Sequence, residues 1–287
     1  MDRNGKKSRA GKRRQAFTDA GKTAKKSLGQ NFIFDEGLLD ALVKATGIGE
    51  NENVLEIGTG MGTLTAALAK RCGTVRTVEI DSALIPVLRL SLEKYYNVDL
   101  VEGDILRMDI GELMKDRSPF HVAANIPYYL TTELTQKLLL SRLPVISIKM
   151  MVQKEAARRI CAGPGEEGYC LLSLQRAYFA EAEVLAEVDR TRFDPVPNVD
   201  SAFVRLRMRE EPRYRGDPVL EKRWLRIASA AFAMWRKTFV NNAVSAFGMS
   251  REEACRWLEE CGIEKDRRGE TFTLEETFRL AEIGAII

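Results

Sequence analysis

The residues Asn125-Ile126-Pro127-Tyr128-Tyr129 place an amide, a rigid ring and two aromatics directly after the apolar run His121-Val122-Ala123-Ala124. That run reads as a buried strand, so the polar and aromatic groups arrive where the strand ends. The combination suits the grip of a flat, polar ring. Consider an exocyclic amine on such a ring. Its lone pair is delocalised, so it is a poor nucleophile. Two acceptors aimed at its N–H bonds favour a tetrahedral nitrogen with the lone pair free for an incoming methyl group. The Asn125 side-chain oxygen and a backbone carbonyl in the Ile126-Pro127 segment supply that pair, proline fixes the loop through its locked φ, and Tyr128 stacks on the ring. No general base is needed. His121, the only histidine, begins the strand without a partner close in sequence and reads as structural. Farther along, Phe193-Asp194-Pro195-Val196-Pro197 offers either a second wall for the ring or a core phenylalanine in a proline-rich connection.

A methyl donor needs its own site. Gly58-Thr59-Gly60-Met61-Gly62 follows the apolar strand Val54-Leu55-Glu56-Ile57, and glycines there allow a tight turn and close approach of the backbone to a ligand. Twenty-one residues after Gly58, Glu79 ends a second strand, placed to accept hydrogen bonds from ribose hydroxyls. The pair fits a dinucleotide-dependent dehydrogenase as well as an S-adenosylmethionine (SAM) methyltransferase. Gly103-Asp104, just past a third strand, favours the methyltransferase, because an acid there accepts from an adenine amine and a dehydrogenase makes no such demand on its third strand.

The elements that must hold these groups alternate. Strands are expected at Val54–Ile57, Val75–Ile80, Val98–Val101, His121–Ala124 and Val145–Val152. Helices are expected at Leu64–Cys72, from a Ser82 cap to about Tyr95, from Thr131 or Thr132 to Leu140, and at Lys154–Cys161. A further helix begins upstream with Leu38, Leu39, Leu42 and Val43 on one face. The alternation predicts an α/β, Rossmann-like fold with a mostly parallel, doubly wound sheet. Tyr169–Phe179 reads as a helix, and Glu183–Val188 with Ala202–Met208 as an antiparallel pair at the sheet edge. Arg205, Arg207 and Arg209 share one face of that edge. Four helices near 218–234, 236–247, 250–261 and 273–283 predict a small all-helical C-terminal domain. The division is thus a basic arm at 1–26, a methyltransferase domain at 27–210 and a helical domain at 211–287.

Hydrophobic residues at 45% and charged residues at 30% are ordinary for a water-soluble protein. No apolar run is long enough to span a membrane, and the N-terminus is too polar for a secretory signal. Five cysteines without a C-x-x-C pair or a histidine cluster argue against a zinc site, so no metal is expected, and they fit reduced thiols in the cytoplasm. The net charge of +3 is uneven: residues 1–26 carry +8 and the remainder −5. Such an arm is read equally as a nucleic-acid contact or a solubilising tail.

Taken together, these motifs resemble the ribosomal RNA adenine dimethyltransferases of the KsgA/RsmA type. The resemblance rests on Ser27-Leu28-Gly29-Gln30-Asn31-Phe32, the Val54 to Thr65 glycine motif, Val78-Glu79-Ile80-Asp81, Gly103-Asp104 and Asn125-Ile126-Pro127-Tyr128. Met151 to Glu155, Phe193 to Ala202, Arg236-Lys237-Thr238 and Arg268 to Leu280 continue it to the C-terminus. It implies transfer of four methyl groups from SAM, which leaves as S-adenosylhomocysteine, to N6 of two adjacent adenosines near the 3′ end of 16S rRNA. It also implies a monomer acting on the small subunit or its precursor. Cofactor contacts carry over to Gln30, Asn31, Ile33, Gly58, Gly60, Glu79, Asp104, Ile105 and Asn125. The catalytic group carries over to Asn125, Ile126, Pro127, Tyr128 and Phe193, with Tyr128 and Phe193 enclosing the adenine. Thr59 stands where a proline is common, and the long basic arm exceeds the usual N-terminus. Two alternatives remain: the Erm type, which methylates one adenosine of large-subunit rRNA, and a non-catalytic RNA-binding factor on the same fold.

Overall fold

Residues 30–125, 127–211 and 217–284 are described by a computed structural model, Tyr128 by its backbone alone. The expected arm at 1–26, Ser27 to Gly29, Ile126 and the Tyr128 ring lie outside the described residues. The chain divides into two compact units, Met1–Ala157 with Glu183–Met208, and Arg158–Ala182 with Arg209–Ile287. A single cut at 210/211 therefore misses one segment, residues 158–182, which belongs with the C-terminal helices.

The first unit is built on strands β1 (Phe32–Ile33), β2 (Asn53–Ile57), β3 (Thr74–Glu79), β4 (Val98–Glu102), β5 (Phe120–Asn125) and β6 (Val145–Gln153). Three more follow: β7 (Ala180–Val188), which begins in the second unit, β8 (Phe193–Asp194) and β9 (Ser201–Met208). The main sheet has the order β4-β3-β2-β5-β6-β9-β7, parallel from β4 to β6, with β9 antiparallel to β6. The expected doubly wound sheet is present, and strand order reverses between β2 and β5. Such a reversal opens a crevice at the carboxyl ends of the strands. Val54, Leu55, Val75, Val122, Ile148, Met150 and Val152 are fully or almost fully buried, as apolar runs in a sheet covered on both faces require.

Helix α1 (Glu36–Ala45) buries Leu39, Leu42 and Val43, and its cap Asp35 accepts from Leu38 N at 3.0 Å. Helices α2 (Thr63–Ala69), α3 (Ile85–Leu92), α4 (Ile110–Met114), α5 (Thr131–Leu140) and α6 (Lys154–Cys161) complete the alternation. Two expected caps are corrected. Ser82 does not cap α3, which starts from Leu84 with Pro86 in its first turn; a turn closed by Ala83 N on Asp81 Oδ1 intervenes. Thr131 is the first residue of α5 rather than its cap, because the 3-10 turn Tyr128–Leu130 runs straight into the helix. The five-residue α4, capped by Asp109, is too short to show as an apolar period.

His121 is structural, and its partners come from β6 and from Glu52, just before β2. Its Nδ1 lies 2.7 Å from Ser147 Oγ and 3.0 Å from Lys149 Nζ, and its Nε2 lies 3.2 Å from Glu52 Oε1. With Nδ1 accepting, the ring proton belongs on Nε2, facing the carboxylate. Lys149 is 1% exposed. Burial pushes its amine down to about 7, Glu52 pulls it up and Arg205 pushes it down. In the unfolded chain the amine titrates near 10.5. From 10.5 down to about 7 the unfolded state gains a proton that the folded state refuses, so stability falls as pH falls through that window and levels off below it. Lys149→Met is expected to flatten this slope and to add about 1–4 kcal/mol of stability at pH 7. Urea denaturation at pH 7 and pH 9 reads both effects, and a variant less stable than wild type at pH 7 would refute the assignment.

The second unit holds α7 (Leu171–Phe179), α8 (Pro218–Ala231), α9 (Phe239–Phe247), α10 (Arg251–Glu260) and α11 (Leu274–Ile283). Segment 158–182 joins it through Tyr178. That ring lies 4.7 Å from Trp224 and 5.2 Å from Phe278, and the latter two stack at 4.9 Å and 9°. Trp224 donates to Thr277 Oγ1, and the Tyr178 hydroxyl to Glu221. Capping boxes at Ser250/Glu253 and Thr273/Glu276 start α10 and α11. Helix α9 starts at Phe239 rather than 236, because residues 232–236 form a turn and Thr238 is the cap.

Candidate active site

Each parallel strand from β2 to β5 delivers one of the expected groups at its carboxyl end. From β2 the chain enters Gly58 to Gly62, where Gly58, Gly60 and Gly62 all have positive φ. A Cβ on Gly60 would also stand 3.0 Å from the Phe32 ring. The turn needs glycine for backbone conformation and for the close approach of that aromatic. Thr59, at the position where a proline is common, buries its hydroxyl 2.7 Å from that of Thr77 and so ties the turn to β3.

Glu79 closes β3 and is 3% exposed. Its Oε2 accepts from Gly60 N at 2.8 Å and its Oε1 from Asp81 N at 2.9 Å. Burial is the largest influence and pushes the carboxyl up from its ordinary 4.5, with the Asp81 and Gly60 amides pulling back. Each oxygen has lone-pair capacity beyond its backbone partner. Past β4, Asp104 Oδ1 accepts from Leu106 N at 3.0 Å, and its Oδ2 lies 3.4 Å from the exposed Arg107. At the end of β5, Asn125 Nδ2 donates to Asn31 O at 3.2 Å. That bond orients the amide, directing its oxygen end away from Asn31.

These groups surround one cavity of about 280 Å³. Of the expected cofactor residues, Gln30, Asn31, Ile33, Gly58, Gly60, Glu79, Asp104, Ile105 and Asn125 all line it, as does Pro127. Ile57, Met61, Ile80 and Leu106 supply apolar wall between the polar groups. Two acids at separate strand ends, an apolar middle and a glycine cradle fit a cationic nucleoside with a polar tail. The sheet reversal between β2 and β5 sets Gly58 and Asn125 side by side.

Phe193 departs from its expected place. It is 3% exposed, pairs through β8 with Ile33 in β1, and packs in the core with Ile33, Val188 and Phe203. It is not one of the residues lining the cavity. The Pro127 carbonyl is already engaged by Leu130 N at 3.0 Å, which closes the turn after the motif. Phe32, from the Ser27 to Phe32 motif, and Tyr129, the second aromatic after Asn125, line the cavity as well. Phe32 covers Gly60, and Tyr129, 63% exposed, lines the cavity mouth.

Two of the alternating arginines, Arg205 and Arg209, are paired within the protein. Arg205 lies 2.6 Å from Glu183, and Arg209 lies 3.1 Å from Glu181. The glutamates alternate on β7 as the arginines do on and after β9, so neighbouring strands neutralise each other.

A family model described as ribosomal RNA adenine dimethylase matches residues 21–283. The chain belongs to that family. Membership makes it a methyltransferase of ribosomal RNA. Similar proteins include the ribosomal RNA small subunit methyltransferase A of Shouchella clausii, 42% identical over 270 residues, which cover 91% of this chain and 90% of the relative. The protein of the same name from Staphylococcus haemolyticus is 40% identical over 265 residues, 90% of this chain and 89% of the relative. Among solved structures, a dimethyladenosine transferase from Plasmodium falciparum superposes with a TM-score of 0.71 at 26% identity, covering 86% of this chain and 96% of its own. The 23S rRNA methyltransferase ErmE superposes at 0.67 with 27% identity, covering 88% and 98%. The fold is thus shared by the family and by the Erm type, while the relatives near 40% identity carry the small-subunit name.

Proposed function

We propose that this enzyme transfers methyl groups from SAM to N6 of two adjacent adenosines near the 3′ end of 16S rRNA, two to each, in the small subunit or its precursor. The observation that carries the reading is the shared cavity, in which the Asn125 amide adjoins the acids Glu79 and Asp104. SAM supplies the electrophilic methyl when bound. Glu79 holds ribose hydroxyls, Asp104 accepts from the adenine amine of the cofactor, and Gly58 and Gly60 let the backbone approach. Asn125 accepts an N–H of the target amine through its side-chain oxygen, and a backbone carbonyl in the Ile126-Pro127 segment takes the second. Tyr128 stacks on the target base. For Phe193 to form the opposite wall its ring must leave the core, at a cost of about 1.5–3 kcal/mol.

RNA contact falls to the turn after α8, where Trp235 is exposed and the Arg236 guanidinium lies 5.8 Å from its ring, with Lys237 next in sequence, and to the basic arm. Phosphate contacts make this binding salt-sensitive. The protein acts in the cytoplasm; among the described residues no helix is long and apolar enough to cross a membrane.

Incubation with labelled SAM and small subunits lacking the modification tests the assignment. Label on two adjacent adenosines near the 3′ end is expected. Label in large-subunit RNA points to the Erm type, and no label at all to a binding factor.

Glu79→Gln is expected to weaken cofactor binding by about 1.5–3 kcal/mol, roughly 10–150-fold, because one carboxamide oxygen cannot replace a carboxylate that serves two amides and a diol. The wild-type affinity should fall on acidification at a pH above the ordinary carboxylate value, since burial raises this carboxyl and the protonated form accepts poorly. Calorimetry from pH 5 to 8 reads both, and an affinity unchanged in the variant would remove Glu79 from the site.

A further inference from the structure

Behind the turn that carries Asp104, one amine gathers three backbone carbonyls. Lys137 Nζ donates to Ile105 O at 3.0 Å, Leu106 O at 2.6 Å and Met108 O at 3.0 Å. An ammonium has three N–H bonds, and all three are used. The turn is folded so that its N–H groups point the other way: Leu106 N donates to Asp104 Oδ1, and Arg107 N and Met108 N donate to Asp104 O at 2.9 and 3.0 Å. The carbonyl end of this helix-like turn carries partial negative charge, and the cation sits on it. The packing is close, since a Cβ on Gly103 would stand 2.8 Å from Met108 Sδ.

Lys137 is half-buried and does not line the cavity, whereas Asp104, Ile105 and Leu106 do. Its helix has a second attachment. Helix α5 begins at Thr131, directly after the turn Tyr128–Leu130, and Tyr129 and Leu130 line the same cavity. One rigid helix therefore joins the segment that follows Asn125 to the turn that presents Asp104.

We infer that Lys137 is a positioning residue that locks the Asp104 turn for selection of a 6-aminopurine cofactor over a 6-oxopurine one. The inference rests on the reading of this cavity as the cofactor site. A 6-aminopurine donates to the Asp104 carboxylate, whereas a 6-oxopurine presents a carbonyl that the carboxylate repels. That discrimination requires the carboxylate to be held still. Without the Lys137 bonds the turn shifts or frays, and the contact that distinguishes the two purines weakens while ribose and tail contacts persist.

The test titrates wild type and Lys137→Met with S-adenosylhomocysteine and S-inosylhomocysteine by calorimetry, with thermal denaturation as the fold control. Wild type is expected to prefer the adenosyl ligand. The variant should lose about tenfold for the adenosyl ligand and far less for the inosyl one, narrowing the ratio. The double variant Lys137→Met/Asp104→Ala should bind no worse than Asp104→Ala alone. If Lys137→Met does not fold, Lys137→Arg keeps the charge with a different donor geometry, and the same ratio is read. A variant that keeps the wild-type ratio, or loses both ligands equally, overturns the role of Lys137 alone. A wild type that binds neither ligand overturns the cofactor reading and the inference with it.

Discussion

Asn125→Ala is expected to lower methyl transfer to unmodified small subunits by about 10²–10³-fold, the usual cost of removing one preorganised polar group from a reacting centre. Affinity for S-adenosylhomocysteine should fall less than about tenfold, because the bond lost to the cofactor side is one among several. The asymmetry follows from the geometry. Nδ2 is held by the Asn31 carbonyl, so the amide oxygen is presented in a fixed direction, and that oxygen matters when the amine nitrogen becomes tetrahedral. Asn125→Asp should not rescue, because its second oxygen would face the Asn31 carbonyl and be pushed away. Single-turnover methylation and calorimetry separate the two effects. Full activity of Asn125→Ala would sink the catalytic assignment, and equal losses in binding and turnover would make it a cofactor residue only.

The largest effect on stability is expected at Gly269, far from that chemistry in sequence. A Cβ there would stand 2.0 Å from the Ala231 carbonyl oxygen and 2.5 Å from its carbon. Backbone cannot yield cheaply. Ala231 ends α8, and its carbonyl also accepts from Asn242 of α9 at 3.0 Å. The neighbouring residues hold Gly165 N on Glu270 O and the Tyr169 hydroxyl on Phe272 O, both at 2.9 Å. Displacing the turn would disturb all of these, so Gly269→Ala should cost at least about 4 kcal/mol, a size confined to a few mechanisms. Gly165→Ala is the control. Nothing lies within 4 Å of its Cβ position, and the penalty comes only from φ of +79°, about 1–2 kcal/mol. Urea unfolding followed by tryptophan fluorescence compares the two. Equal costs would mean that the close approach at Gly269 is not a constraint.

The positions that bear the chemistry were readable because each is a local departure from its surroundings. Gly58 to Gly62 interrupt a β-to-α passage, Glu79 and Asp104 stand at strand ends among apolar residues, and Asn125 follows a buried run. Strand order then brings them together without further information, since parallel strands align their carboxyl ends. The four C-terminal helices were readable from their helical composition, and the structure adds the capping boxes at Ser250 and Thr273.

What escaped the sequence depends on pairs far apart along it. Ile33 meets Phe193 in a two-residue ladder, and that meeting turns an expected stacking ring into a core side chain. His121 had no visible partner because Ser147, Lys149 and Glu52 come from other parts of the chain. The partner of Arg205 is not visible along the sequence, and the apposition of β9 with β7 supplies Glu183. Tyr178 assigns its helix to the C-terminal unit through Trp224 and Phe278. Nothing local to Lys137 signals the three carbonyls that its amine gathers from the Asp104 turn. The sequence by itself determined which groups the protein owns and at which strand ends they stand, because periodicity and turn chemistry are local. Tertiary structure alone decided which of them face the cavity, which are buried in the core and which charges cancel, because those outcomes depend on contacts between distant segments.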